Sequence, residues 1–194
     1  MSYASSPRPT FDQVTHIPYR AVTRHLWGDP EAGEVADWIY VSSDKIHQIV
    51  FGMEPGGWFR HSDSYRTIFA ADEVFYVLSG EMILCNPETG EVHRVGPGGV
   101  AFFRRDTWHH VFNDGPEELR ELELFAPPPS QGTSGAYARK QPNLEASRYT
   151  RDDLLGRWPM EREAIDATNT IRVIREPDIL WRYEGRHDRA LVGL

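Results

Sequence analysis

Between residues 55 and 113 the chain collects the side chains best able to do chemistry: His61, Asp63, Glu73, His109 and His110, set where short apolar runs begin or end. Imidazole nitrogen and carboxylate oxygen are the donor types a divalent transition metal takes while keeping a position open for water or substrate. Arg60, Arg66, Arg104 and Arg105 stand in the same stretch. Arginine is favoured wherever a carboxylate or phosphate is gripped at two points, so Arg60 and Arg66 are candidates for orienting an acidic substrate. Ion pairing with the chain's own acids is the competing role.

Strands must position these groups. ADWIYVSS and KIHQIVFGM are rich in β-branched and aromatic residues and predict two strands, with a turn at EPGG after them. RTIFA predicts a short strand and EVFYVLSG a longer one that is apolar on both faces. Such a strand is covered on both sides, here by a barrel interior and by a second sheet or a partner subunit. EMILCN, EVHRV, VAFFRR, TWHHVFN and ELRELELFA continue the series between Gly- and Pro-containing turns. About nine strands in roughly 90 residues predict a sandwich or an antiparallel barrel. Successive strand residues face opposite ways, so only one of His109 and His110 looks inward; His109 shares its face with Val111 and Asn113, and His110 is expected as a packed histidine on the other face. By the same parity Asp72 faces away from Glu73. His16, His25 and His93 are expected at the surface, His47 has an inward option, and Cys85 is expected as a small buried thiol.

The flanks differ in texture. Residues 1–35 predict an N-terminal arm, 36–127 the barrel, and 128–194 a Pro/Gly/Ser-rich strap, short helices after Thr150, a strand at TIRVI and a terminal strand. The closing ALVGL has two readings, the opening strand of a second barrel or a strand docked on the sheet of the first or of a partner.

Bulk properties narrow the function. The 194 residues are 40% hydrophobic and 12% aromatic, enough for a core, and the formal net charge is −8. That balance argues against nucleic-acid or anionic-membrane surfaces, which need clustered Lys and Arg. No run approaches about 18 apolar residues, and the polar start lacks the pattern of a secretory signal, so a cytoplasmic protein is expected. A single cysteine excludes an internal disulfide and a multi-Cys zinc site. GxSxG, GKS-type and GxGxxG motifs are absent from the sequence.

Two segments resemble the paired motifs of the cupin superfamily. Gly56-Gly57, His61, Glu73 and Gly80 follow the first motif, with the Glu-to-Gly spacing kept in DEVFYVLSGE; Gly98, a turn at residues 105–107, His109 and Asn113 follow the second. The resemblance implies an all-β, cupin-like double-stranded β-helix (a jelly-roll barrel), commonly paired as a homodimer, acting on or binding a small molecule. It implies a metal held by His61, Glu73 and His109, with Asp63 in the place of the first motif's second histidine. Fe, Mn, Ni and Zn all suit such a set. By resemblance the reaction is an oxygenation, isomerisation, lyase or decarboxylation step, and a non-catalytic ligand-binding or sensory role is the alternative. The chain departs from the family pattern in two ways: the gap between Asp63 and Glu73 is long, and with the usual spacing the histidine pair falls at Thr67 and Phe69, neither of which is a ligand.

Overall fold

The computed structural model describes residues 9–30, 32–60, 67–69, 71–86, 90–103, 107, 109–126, 128, 138–140, 171–179, 181–184 and 190–193. Fifteen strands follow in order: β1 (Arg24–Asp29), β2 (Gly33–Ser42), β3 (His47–Met53), β4 (Trp58–Phe59), β5 (Thr67–Phe69), β6 (Asp72–Ser79), β7 (Met82–Asn86), β8 (Glu91–Val95), β9 (Gly99–Phe103), β10 (His110–Phe112), β11 (Leu119–Ala126), β12 (Ala138–Lys140), β13 (Ile171–Arg175), β14 (Trp181–Glu184) and β15 (Ala190–Gly193). Eleven of them form one antiparallel sheet in the order β13-β9-β6-β11-β3-β2-β4-β10-β7-β8, with β1 paired to β2. The sheet curls until its two ends meet, where Ile171 N donates to Glu91 Oε1 at 3.3 Å. The expected all-β, cupin-like double-stranded β-helix is therefore the observed fold.

Strand pairing begins at Arg24, ahead of the expected start at Ala36. The β1–β2 turn closes through Gly33, at φ 86°, where an added Cβ would sit 1.9 Å from the Trp58 carbonyl oxygen. Only glycine takes that conformation and that approach together. Gly80 does the same between β6 and β7, at φ 71° with Leu119 Cα 2.7 Å from an added Cβ.

Alternation along each strand builds the core. Phe51 and Met53 of β3, Phe75 and Val77 of β6, Ala101 and Phe103 of β9, and Leu84, Val111 and Leu119 from the facing strands form one buried cluster. Phe75 packs edge-on to Phe103 at 5.0 Å and stacks on Phe51 at 6.2 Å. Full burial of such side chains contributes roughly 1.5–3 kcal/mol each. Cys85 is buried as expected, and burial pushes its thiol up to about 12.

The outer face of β2 and β3 has a cover of its own. The N-terminal arm, expected to be loose, runs along this face: Ser42 N donates to Pro9 O at 2.7 Å, and Val22 packs against Ala36, Trp38 and Val50. Tyr19 lies 5.9 Å from the Trp38 ring. The Arg120 guanidinium sits over both rings, 5.0 Å from Tyr19 and 4.6 Å from Trp38. The outer face of β6 and β13 is different. Tyr76, Leu78 and Ile174 are 39%, 48% and 38% exposed, and cross-strand pairing aligns Ile174, Val100, Tyr76 and Leu122 in one row.

The remaining strands lie outside the main sheet. β5 pairs with β12, and β14 pairs with β15. The closing ALVGL forms a hairpin with β14 and, among the described residues, does not pair with a strand of the barrel sheet. The helices expected after Thr150 fall outside the described residues. Among the described residues no helix is long and apolar enough to cross a membrane.

Candidate functional site

Glu73 is the second residue of β6 and faces inward, with Phe103 of β9 on one side and Phe125 of β11 on the other. It is 2% exposed. His109 lies just before β10 and reaches it from the opposite wall, Nε2 standing 3.7 Å from Glu73 Oε2. The imidazole is wedged between two aromatic rings, edge-on to Phe75 at 5.6 Å and tilted on Phe103 at 4.5 Å. Its Nδ1 lies 3.3 Å from the Thr107 carbonyl oxygen. A carbonyl only accepts, so in the neutral ring Nδ1 carries the hydrogen and the Nε2 lone pair points at Glu73.

Burial dominates the electrostatics. Loss of water holds the Glu73 carboxyl well above the usual carboxylate range. The same loss lowers His109 to about 4, against a smaller upward pull from the Thr107 hydrogen bond. Burial thus favours the neutral form of both groups, a carboxylic acid facing an imidazole lone pair. The 3.7 Å between them exceeds a hydrogen bond, and Glu73 Oε2 has no hydrogen-bond partner among the described residues.

The expected residues divide accordingly. Glu73 and His109 come together, and of the two adjacent histidines it is His109 that faces inward. His110 is 2% exposed and sits on the other face, opposite Cys85. His61, Asp63 and Arg66 lie outside the described residues. Arg60 is half-buried just past β4, its amide donating to the Ala32 carbonyl at 2.8 Å. Two donors in adjacent positions suit a metal as far as they go. Among the described residues, however, no group of three His, Cys, Asp or Glu could hold one, so these residues alone do not fit a metal ion.

Several inward polar groups escaped the sequence reading. Glu121 and Glu123 alternate with Leu122 and Leu124 on β11, and it is the glutamates that point inward, with Leu119 and Phe125. The usable signal was parity: both glutamates share it with Phe125, the partner of Glu73. Asp37 of β2 is 3% exposed, and His25, expected at the surface, is 8% exposed and sits directly across from Asp37. His93, also expected at the surface, is half-buried 3.3 Å from Glu91. His47 is wholly buried, its Nδ1 2.9 Å from Ser42 Oγ and its ring 5.4 Å from Phe125. That hydrogen bond and ring contact give it a packing role in place of a ligand's.

A cavity of about 490 Å³ opens elsewhere, at the Met53 end of β3, lined by Arg24, Leu26, Val35, Trp58 and Glu118 among others. Neither Glu73 nor His109 lines it. It is thus apart from the Glu73–His109 pair.

Comparison with known proteins agrees with the fold. The family model described as the cupin domain matches residues 49–125. No curated protein matches the sequence. Among solved structures, the polyketide cyclase RemF from Streptomyces resistomycificus is similar at 18% identity and a TM-score of 0.52, covering 73% of this chain and 99% of that one. A protein with a double-stranded β-helix domain from Klebsiella pneumoniae is similar at 17% identity and a TM-score of 0.48, over 61% of this chain and 94% of its own. A predicted oxalate decarboxylase from Thermotoga maritima is similar at 19% identity and 0.47, over 57% and 97%. Similarity at these identities speaks to fold alone. With the barrel order and the family match in agreement, the barrel has the cupin fold, and residues 49–125 match the cupin domain.

Proposed function

We propose that this cupin binds a small organic molecule at the Glu73 end of the barrel, and that Glu73 and His109 act on it as a proton-transfer pair. The observation that carries this reading is the geometry of two buried groups whose burial favours their neutral forms. The Glu73 carboxyl offers a proton and His109 Nε2 offers a lone pair, held 3.7 Å apart with Oε2 otherwise unengaged. A ligand that both accepts and donates a hydrogen bond spans such a gap. Of the reactions the family resemblance suggests, isomerisation and lyase chemistry need only that one proton be delivered and another removed. The interior that holds Glu73 also buries Asp37, Glu121 and Glu123 and disfavours charge there, which favours a neutral ligand over the carboxylate expected from Arg60 and Arg66.

A second reading follows from the donor types of the pair. With His61 and Asp63 as further ligands, Glu73 and His109 would hold Fe, Mn, Ni or Zn, which supplies a Lewis acid or a site for dioxygen. A non-catalytic ligand-binding role is the third reading, and it needs the same Glu73–His109 contacts without turnover.

Metal analysis of the purified protein separates the first two readings. Stoichiometric metal in the wild type, lost in both Glu73→Ala and His109→Ala, selects the metal reading. For the proton-transfer reading, chelator-treated protein is screened by thermal shift with small neutral enols, ketones and hydroxy compounds. A true ligand at about 100 times its Kd stabilises by about 2.7 kcal/mol, and Glu73→Gln should abolish that gain. No ligand response in the wild type, or an unchanged one in Glu73→Gln, rules the reading out.

A further inference from the structure

A second buried carboxyl has no part in the Glu73–His109 pair. Glu121 points into the barrel from β11 with 0% exposure, and neither of its carboxyl oxygens has a hydrogen-bond partner among the described residues. Cross-strand register sets it in a row that crosses five strands: His25 of β1, Asp37 of β2, Phe51 of β3, Glu121 of β11 and Val77 of β6. The groups flanking Glu121 on its neighbouring strands are therefore apolar. The titratable groups on this inner face are Asp37 beyond Phe51, His25 beyond Asp37, Glu123 on the same strand, and Glu73 and His47 farther along β6 and β3.

The site is also a weak point of the wall. The β11–β6 register slips between Arg120 and Glu121, and the β2–β3 register slips between Ile39 and Val41. An irregular step interrupts the ladder hydrogen bonds and leaves the strands easier to part. An ionised carboxylate without donors in such surroundings is strongly unfavourable, and water entering at the slip is the nearest remedy.

We propose that Glu121 is a proton-held latch: while it carries its proton the β2–β3–β11 wall stays shut, and when the proton leaves, the new charge facing Asp37 opens the wall to water at the bulge. Desolvation first, and Asp37 second, raise the Glu121 carboxyl well above its ordinary range. The sign follows. The unfolded chain gives up this proton at lower pH than the folded one, so the stability held by the protonated form is lost as pH rises toward the folded value.

The test compares the full-length wild type with Glu121→Gln and Glu121→Leu from neutral to alkaline pH. The wild-type Tm should fall by about 3–5 °C more per pH unit than that of Glu121→Gln within the titration range. Amide exchange beside the slip, at Arg120, Glu121 and Val77, should quicken with pH beyond its intrinsic dependence in the wild type alone. Infrared spectra at neutral pH should show a protonated-carboxyl stretch that loses one carboxyl's intensity in either variant. If Glu121→Gln does not fold, Glu121→Leu and the wild-type infrared titration still decide. Equal pH slopes in variant and wild type, or an unchanged infrared band, overturn the latch. Both variants keep Glu73 and His109, so failure here leaves the proposed function standing, and the ligand screen tests that separately.

Discussion

His109 makes a sharp prediction about acid stability. In the unfolded chain its imidazole titrates near 6.5, and in the barrel burial lowers it to about 4. Between those values the unfolded chain takes up a proton that the folded chain refuses. The contribution is therefore fully present above 6.5 and is lost as the pH falls through the window toward 4. The difference of about 2.5 in pKa, at 1.36 kcal/mol each, is worth about 3 kcal/mol. Glu73 works the other way, since its raised carboxyl loses stability as pH rises above about 4.5, so the two limbs partly cancel in the wild type. The clean measurement is urea unfolding of chelator-treated Glu73→Gln against Glu73→Gln/His109→Gln across this range. The first should lose about 3 kcal/mol on acidification that the second keeps. Proton NMR of the imidazole should place the His109 midpoint near 4. A midpoint at or above 6.5, or equal acid limbs in the two variants, would show that the ring is not buried in the Phe75–Phe103 wedge and would remove the basis for a neutral acid–base pair.

Two further outcomes are expected. Arg120→Met removes a guanidinium shared by Tyr19 and Trp38 while keeping much of the stem; at roughly 0.5–1 kcal/mol per cation–π contact it should cost about 1–2 kcal/mol, and a double-mutant cycle with Tyr19→Ala should show coupling of at least about 0.5 kcal/mol. The exposed row around Tyr76, Leu78 and Ile174 is the face expected to join two copies, so Tyr76→Lys/Leu78→Lys should halve the mass seen by light scattering, and a wild type that stays monomeric at all concentrations defeats that expectation.

What could be read from the sequence depended on whether side-chain period and burial agreed. Along EVFYVLSGEMILCN, β6, the turn at Gly80 and β7 stand where the pattern places them, although the outer face of β6, expected under cover, leaves Tyr76 and Leu78 39% and 48% exposed. Parity allowed only one of His109 and His110 to face inward, and the place of His109 in the second motif favoured it. β11 inverts the usual rule: its leucines at 122 and 124 are half-buried on the outer face while glutamates 121 and 123 fill the interior. Hydrophobicity alone assigns those faces backwards. β1, RHLWGD, carries no clear alternation, so its pairing with β2 and the burial of His25 were hidden. The candidate site was half legible: Glu73 on β6 and His109 just before β10 come together, whereas His61, Asp63 and Arg66 lie outside the described residues, in a stretch of sequence whose length breaks the family spacing.

The pairing of β13 with β9 also orders events during synthesis. Residues 171–175 hydrogen-bond to a strand that ends at Phe103, so roughly 70 residues of chain separate the two partners, a large loop to close before the pairing gains anything. A growing chain that has just completed β11 can pair every barrel strand up to that point yet still shows one bare edge of β9. Bare edges recruit other strands, and nascent chains of this kind are prone to intermolecular pairing. The interval between completion of Ala126 and arrival of Ile171 is therefore when this edge lacks its partner strand, and a fragment ending before residue 171 should aggregate where the full chain does not.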